Sequence, residues 1–316
     1  MNITYFFIVQ PGNLSFRARF LAATLRENAP PGSRIEAFVP DTDSDLDRNT
    51  RRTLDHLDVQ LRVFSPEIWP KHAYPIGNKV DVTAQGFETD YAVFLDTDIV
   101  VTRSFDPAPL MQADLSAVPI MGAQVFVGAN GHRFSAFVKD TLNTDRLPLS
   151  PALRQARDLC PKRLSTRLPM FNSGVVAFST RSEFAQLWRR RTLEVLAAAD
   201  LPERMRRPFG DQAALGMVAF EMRDRLSVLD RKWNASFKSS IDDALFWHYF
   251  RVFSLLQKKN GRALFLATHR RYVPQGLNLL GEISEKDLSD FFDSMREFRQ
   301  VSPDAPEGPV DDTSAA

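Results

Sequence analysis

A single α/β domain built on a mixed central sheet is the fold class the sequence predicts, and two observations predict it. Short apolar runs alternate with stretches whose apolar residues recur at helical spacing, which is the signature of strand-helix-strand units. The run Tyr91-Ala92-Val93-Phe94-Leu95 is apolar throughout, as a strand covered on both faces of a parallel sheet would be.

In chain order, residues 3–9 predict a first strand. They lack a basic start and stop at Pro11-Gly12, too short for a secretory leader. Leu14, Ala18, Leu21, Ala22 and Leu25 predict a helix over 14–28, and residues 35–39 a second strand. The acidic stretch 41–58, with Leu46, Leu54 and Leu57, predicts an exposed helix. Residues 59–64 predict a third strand, 79–87 a helix and 91–95 the buried strand. Beyond it the alternation weakens to strands at 115–120 and 174–178 and a helix at 184–199, so the second half reads as mixed. Residues 122–170 read as irregular, as does the C-terminal portion. The last residues, 301–316, hold too little apolar area to offset the entropy of ordering and read as a disordered tail.

Composition excludes several classes of function. With 44% apolar and 11% aromatic residues the chain can bury a large core without a staple. Its formal charge of +1 lacks the footprint of a nucleic-acid binder. One cysteine, Cys160, leaves no internal disulfide and no cysteine metal cluster. No apolar run reaches the roughly 18 residues of a spanning helix. A cytoplasmic location follows as an expectation, with attachment to the inner membrane surface left open. Arg189-Arg190-Arg191 and Arg204-Met205-Arg206-Arg207 suit an anionic surface or polysaccharide, and equally suit solvated helix faces.

The chemistry concentrates at Asp96-Thr97-Asp98, directly after the buried run. Ligands in open α/β sheets bind beyond the carboxyl ends of the strands. Side chains two apart on an extended chain point the same way, so both carboxylates face one volume and repel unless a cation joins them. A hard divalent ion that also touches a diphosphate resolves that repulsion. An acidic turn that caps a strand is the plainer alternative. Its cost beside an apolar core argues for a use. A haloacid-dehalogenase-like phosphatase with Asp96 as nucleophile, and Asp242-Asp243 as later ligands, fits the same acids. Three strand units before the motif count against it.

Taken with Asp96-Thr97-Asp98, three later segments carry a resemblance: Phe171-Asn172-Ser173-Gly174-Val175, Gly210-Asp211-Gln212 and His248. In this order the pattern resembles the glycosyltransferase A fold, and within it the retaining family that includes glycogenin and bacterial lipopolysaccharide galactosyltransferases. That resemblance spans about residues 1–250 and implies a Rossmann-like domain over 1–300, with a nucleotide-binding half at 1–110 and an acceptor and sugar half at 111–300.

It also implies roles. Asp96, Asp98 and His248 look like metal ligands that bridge manganese, or magnesium, to a nucleotide-diphosphate sugar, and an imidazole suits manganese better. A core histidine among Phe246, Trp247, Tyr249 and Phe250 is the other reading of His248. Thr97, Asn172 and Ser173 fall on the donor side, Gln10 sits where the base docks, and Lys79 sits near the departing phosphate. Lys79 as a solvated loop residue is equally open. Asp211 would hold sugar hydroxyls and Gln212 would lie near the anomeric carbon, unless Asp211 merely caps a helix. Relatives follow the histidine with Gly and Lys-Pro-Trp; here Tyr249-Phe250-Arg251-Val252-Phe253 follows, so Arg251 or Lys258 would have to stand in for that lysine. The expectation is a hexosyltransferase of polysaccharide biosynthesis, acting on a glycan, lipid-linked or other hydroxyl acceptor with retention favoured. A nucleotide-sugar binder without turnover is the remaining alternative.

Overall fold

The computed structural model describes residues 2–120, 126–144, 149–160, 168–250 and 258–280. The expected tail at 301–316 and Arg251 lie outside the described residues. A seven-stranded sheet has the order β3-β2-β1-β4-β7-β6-β8, with β1 Ile3–Ile8, β2 Arg34–Pro40, β3 Gln60–Phe64, β4 Tyr91–Leu95, β6 Leu115–Pro119, β7 Phe171–Ser179 and β8 Leu226–Val228. Strands β3, β2, β1 and β4 pair in parallel, and β6 pairs in parallel with β8. β7 runs antiparallel to both its neighbours. The sheet is therefore mixed, as expected.

Burial on both faces explains the apolar strands. On β1, Tyr5 and Phe7 join one core while Phe6 joins the other, beside Phe38, Phe94 and Phe178. Each such side chain contributes on the order of 1.5–3 kcal/mol by leaving water. The helix α1 (Asn13–Asn28) covers the first core; α7 (Phe184–Ala197) and α8 (Glu203–Glu221) cover the second.

Several local expectations change. The predicted helix at 41–58 is only α2 (Arg48–His56), because the Asp47 carboxylate accepts the Thr50 amide and starts the helix there. A short α3 (Ile68–His72) precedes α4 (Gly77–Thr83), which ends before Gly86 at φ 74°. The stretch read as irregular contains α5 (Ala129–Leu142) and α6 (Pro151–Leu159), the latter capped by the Ser150 hydroxyl. The C-terminal portion is likewise not irregular throughout: a helix spans Lys259–Tyr272 and stacks Phe265 on Phe20 at 3.7 Å between ring centroids.

A second sheet positions the site. β5 (Ile99–Val101), β10 (Phe246–His248) and β9 (Ala235–Ser236) lie in the order β5-β10-β9. β10 runs antiparallel to β5 and sets His248 opposite Ile99, one residue past Asp98. No helix among the described residues is long and apolar enough to cross a membrane.

Candidate active site

The acids sit where the main sheet hands the chain to the small one. Leu95 pairs with Val175, and the Asp96 amide donates to the Gly174 carbonyl at 2.8 Å. The chain then turns, with Ile99 N–H donating to the Asp96 carbonyl at 3.2 Å. The carboxylates thus meet through a turn, not through the extended alternation expected from the sequence. The Tyr249 amide donates to the Asp98 carbonyl at 3.0 Å, which ties the end of β10 to the same turn.

This register brings a histidine 150 residues downstream of Asp98 to the acids. His248 Nε2 lies 3.0 Å from Asp98 Oδ1 and 4.0 Å from Asp96 Oδ2. One ligand atom from each of Asp96, Asp98 and His248 fits within 4.8 Å of the others. Oxygen donors with one imidazole suit a divalent ion such as manganese or magnesium, so the residues present fit the expected metal. Neither Asp242 nor Asp243 belongs to this group; both lie in the single turn Ile241–Asp243, and both are exposed.

Cations flank the acid pair. Lys79, on α4, reaches Asp96 Oδ1 at 3.0 Å, and both Asp211 Oδ2 and the Ser173 hydroxyl at 3.3 Å. It is buried, not a solvated loop residue. Burial alone would lower its ammonium, but Asp96 and Asp211 outweigh that and hold it above its ordinary value. Burial, together with Asp98, raises the Asp96 carboxyl against the pull of Lys79. Burial also acts on Asp98, but His248 and Arg17 reverse it and hold Asp98 low. Arg17, on α1, lies 3.8 Å from Asp98 Oδ2, and among the described residues its buried Nε has no partner.

Asp211 lies in the first turn of the helical segment that restarts within α8 after Pro208, which lacks an amide hydrogen, and Phe209, which leaves helical geometry at φ −131°. Its carboxylate is taken up by side chains of the site. The Tyr74 hydroxyl donates to Asp211 Oδ1 at 2.8 Å, Ser173 donates to Oδ2, and the Trp188 indole donates to the Asp211 carbonyl at 2.9 Å. Next to it, the buried Gln212 Oε1 has no partner among the described residues.

The Phe171-Asn172-Ser173-Gly174 segment is a bulge. Ala117 pairs with Val176 and the next residue, Val118, with Asn172, so residues 173–175 have no partner on β6. This frees Ser173 to turn toward Lys79 and Asp211. Asn172 instead bonds inward, accepting from the Gly174 amide and from Asn234 Nδ2, each at 2.8 Å. Asn234 Oδ1 in turn lies 3.0 Å from His248 Nδ1.

Gly174 is required by packing. A Cβ there would stand 2.7 Å from His248 Cε1, 2.9 Å from Nδ1 and 3.0 Å from Asn172 Oδ1. Gly174→Ala is expected to displace the imidazole and cost about 1–3 kcal/mol, measured by denaturant melts. Gly210→Ala, whose Cβ meets Leu196 and Tyr74 at an ordinary 3.5 Å, is the milder control. Equal losses in the two would refute the packing account.

Of the residues expected from the sequence, Lys79, Asp96, Asp98, Ser173, Asp211 and His248 are brought together through direct contacts. Asn172 joins through Asn234. Gln10 lies past the end of β1, on the edge where β4 delivers Asp96, and its amide donates to Asp43 Oδ2 at 3.0 Å. Thr97 occupies the turn, with Tyr249 Oη 3.5 Å from its carbonyl. Lys258 is exposed at the start of the helix Lys259–Tyr272. Among the described residues, only Lys79, Arg17 and His248 form ion pairs with the two acids. Sequence reasoning missed Arg17 and Tyr74, which no motif marks. Asn234, beside Trp233, likewise carries no role in the sequence reading.

A sequence model of one family, described as the Rhodobacterales glycosyltransferase domain, matches residues 5–223. The chain belongs to that family. It is therefore a glycosyltransferase, and the family membership counts against the phosphatase alternative. Among solved structures, the chain is similar to the galactosyltransferase LgtC in complex with donor and acceptor sugar analogs. The match has a TM-score of 0.50 at 13% identity and covers 85% of this chain and 95% of that one. This likeness and the strand order show the glycosyltransferase A fold. GlyE of Streptococcus pneumoniae TIGR4 matches at a TM-score of 0.48 and 11% identity, over 93% of this chain and 64% of GlyE. The bifunctional glycosyltransferase WbbM matches at 0.46 and 16%, over 79% of this chain and 45% of WbbM. No curated protein matches the chain.

The glycosyltransferase holds most of its arginine runs internally. Arg189 pairs with Asp81 and Glu67, Arg190 with Glu221, and Arg191 with Glu221 and Glu194. Arg206 and Arg207 donate to backbone carbonyls of Leu201, Leu196, His72 and Ala73.

Proposed function

We propose that this glycosyltransferase transfers a hexose from a nucleotide-diphosphate sugar to a hydroxyl acceptor, with a divalent cation, manganese before magnesium, held by Asp96, Asp98 and His248. The observation that carries the reading is the meeting of those three side chains within 4.8 Å, the acids from the turn between the two sheets and the histidine from the second sheet. Three carboxylates, Asp96, Asp98 and Asp211, face two cations, Lys79 and Arg17, so the site by itself repels a diphosphate. A bound divalent ion would neutralise the acids and the leaving phosphate.

The chain's own residues then divide the work. Lys79 and Arg17 flank the acids and offer charge to the departing diphosphate. Arg17 takes the place that the missing lysine after His248 leaves open. Gln10 and Thr97 meet the nucleoside side, and Asn172 and Ser173 border the sugar. The orphaned Gln212 Oε1 is an acceptor awaiting a hydroxyl, which a sugar would supply.

Retention is the favoured stereochemistry. Asp211 already accepts from Tyr74, Ser173 and Lys79, so it orders the site and is not poised as a nucleophile. The anomeric carbon–oxygen bond to phosphate breaks, the bond to the acceptor oxygen forms, and the acceptor's proton passes to the leaving phosphate oxygen. The nucleotide-binding half comprises residues 1–110, and the acceptor half 111–300.

A hydrolysis screen across nucleotide sugars, with manganese or with chelator, tests the reading. The expected result is turnover of one donor that chelator abolishes and manganese restores. Turnover indifferent to chelator, or release of phosphate from generic esters alone, would overturn it.

A further inference from the structure

The direction of the hydrogen bonds behind His248 is fixed by a backbone amide. Gly174 N–H can only donate, so the Asn172 atom it meets at 2.8 Å is the carbonyl oxygen. That oxygen also faces Asn234 at 2.8 Å, which must therefore present its NH2 group there. The other end of the Asn234 amide is then its oxygen, 3.0 Å from His248 Nδ1. An amide oxygen only accepts, so Nδ1 carries a proton. In the neutral imidazole Nε2 is left with its lone pair, 3.0 Å from one carboxylate oxygen and 4.0 Å from another. Between that lone pair and the carboxylates a positive charge is needed: either a second proton on Nε2, as when His248 pairs with Asp98, or a metal ion in its place.

We propose that Asn172 and Asn234 form an amide relay that carries the polarity of the Gly174 N–H to His248, selecting the tautomer whose Nε2 faces the metal. The two asparagines are positioning residues: they act through His248. The geometry supports a dedicated device. Both asparagines are at least partly buried, the ring packs on Gly174 where no Cβ fits, and Phe250 stacks on it at 4.0 Å between centroids. An outer-shell acceptor on a ligating histidine fixes its tautomer, and its loss lowers metal affinity by about 10–100-fold. The relay also gives a reason for the run Asn172-Ser173-Gly174: its first residue reads the amide of its third.

The inference rests on the metal reading above, and the test separates them. Manganese affinity is measured by calorimetry on metal-stripped protein. Asn234→Leu and Asn172→Leu are expected to bind about 10–100-fold more weakly than wild type. Asn172→Asp keeps an acceptor for both donors, so it is expected to bind at least as tightly as wild type, a rescue that mere packing would not predict. Independently of any variant, imidazole 15N spectra of the magnesium-loaded wild type should place the only His248 proton on Nδ1. A proton on Nε2, or leucine variants that fold and bind manganese as wild type does, would overturn the relay alone. A wild type that binds neither ion would overturn the relay and the metal reading together.

Discussion

Asp98→Asn is expected to lower transfer by on the order of 10³-fold, about 4 kcal/mol of transition-state stabilisation, the scale of charge compensation a catalytic divalent ion supplies. Asp98 is the acid nearest His248, at 3.0 Å, and its carboxyl is the one held low. Replacing it with an amide removes a charge from the ligand set. It also lets the new NH2 group donate to the His248 Nε2 lone pair, which then no longer needs a cation. Arg17 would at the same time lose its carboxylate partner. A manganese titration followed by donor hydrolysis checks this. Activity and nucleotide binding that survive unchanged would remove the metal role from the acid pair. Loss of hydrolysis with manganese affinity intact would instead assign Asp98 to the donor.

How much of this was legible in the sequence depended on the range of the cause. The strands β1 and β4 were readable because each buries a nearly unbroken apolar run, and Tyr91–Leu95 matched residue for residue. Helix α6 carried a local signal that was passed over: Ser150-Pro151, a capping hydroxyl followed by proline at the first helical position. The helix Lys259–Tyr272 is held by Phe265 against Phe16 and Phe20, a contact between residues some 245 positions apart. Local periodicity could not announce it.

The site shows the same division. Asp96 and Asp98 were visible because two acids at the end of a buried strand are costly without a use. His248 was not separable from a core histidine until β10 paired with β5 and set it opposite Ile99. Asp211 looked like a cap because an acid at the start of a helical run usually is one. Only its partners, the Tyr74 and Ser173 hydroxyls and Lys79, show that its carboxylate serves the site. Arg17 and Tyr74 had no readable pattern, since their roles come from partners 81 and 137 residues away.

Lys79→Met is expected to destabilise the protein by about 3–5 kcal/mol, because it removes the cation from two carboxylates while leaving them in place. Lys79 and Asp211 are both buried, and Asp96 is drawn toward Lys79 through both oxygens, at 3.0 and 3.3 Å. Methionine fills similar volume, so a cavity is not the main cause. The pH dependence identifies the mechanism. Burial already raises Asp96 above its ordinary value with Lys79 present, and losing the lysine, which pulls it down, raises it further. An acid whose folded-state pKa is raised takes up protons on folding, so it destabilises the fold at higher pH and ceases to do so as it protonates. The deficit of Lys79→Met against wild type should therefore shrink as pH falls from about 8 to about 5 in urea melts. A second replacement, Asp211→Asn on the Lys79→Met background, should recover part of the loss at neutral pH, since it removes one of the stranded charges. A deficit that is flat with pH, or a double variant less stable than the single, would mean that packing and not charge ties Lys79 into the site.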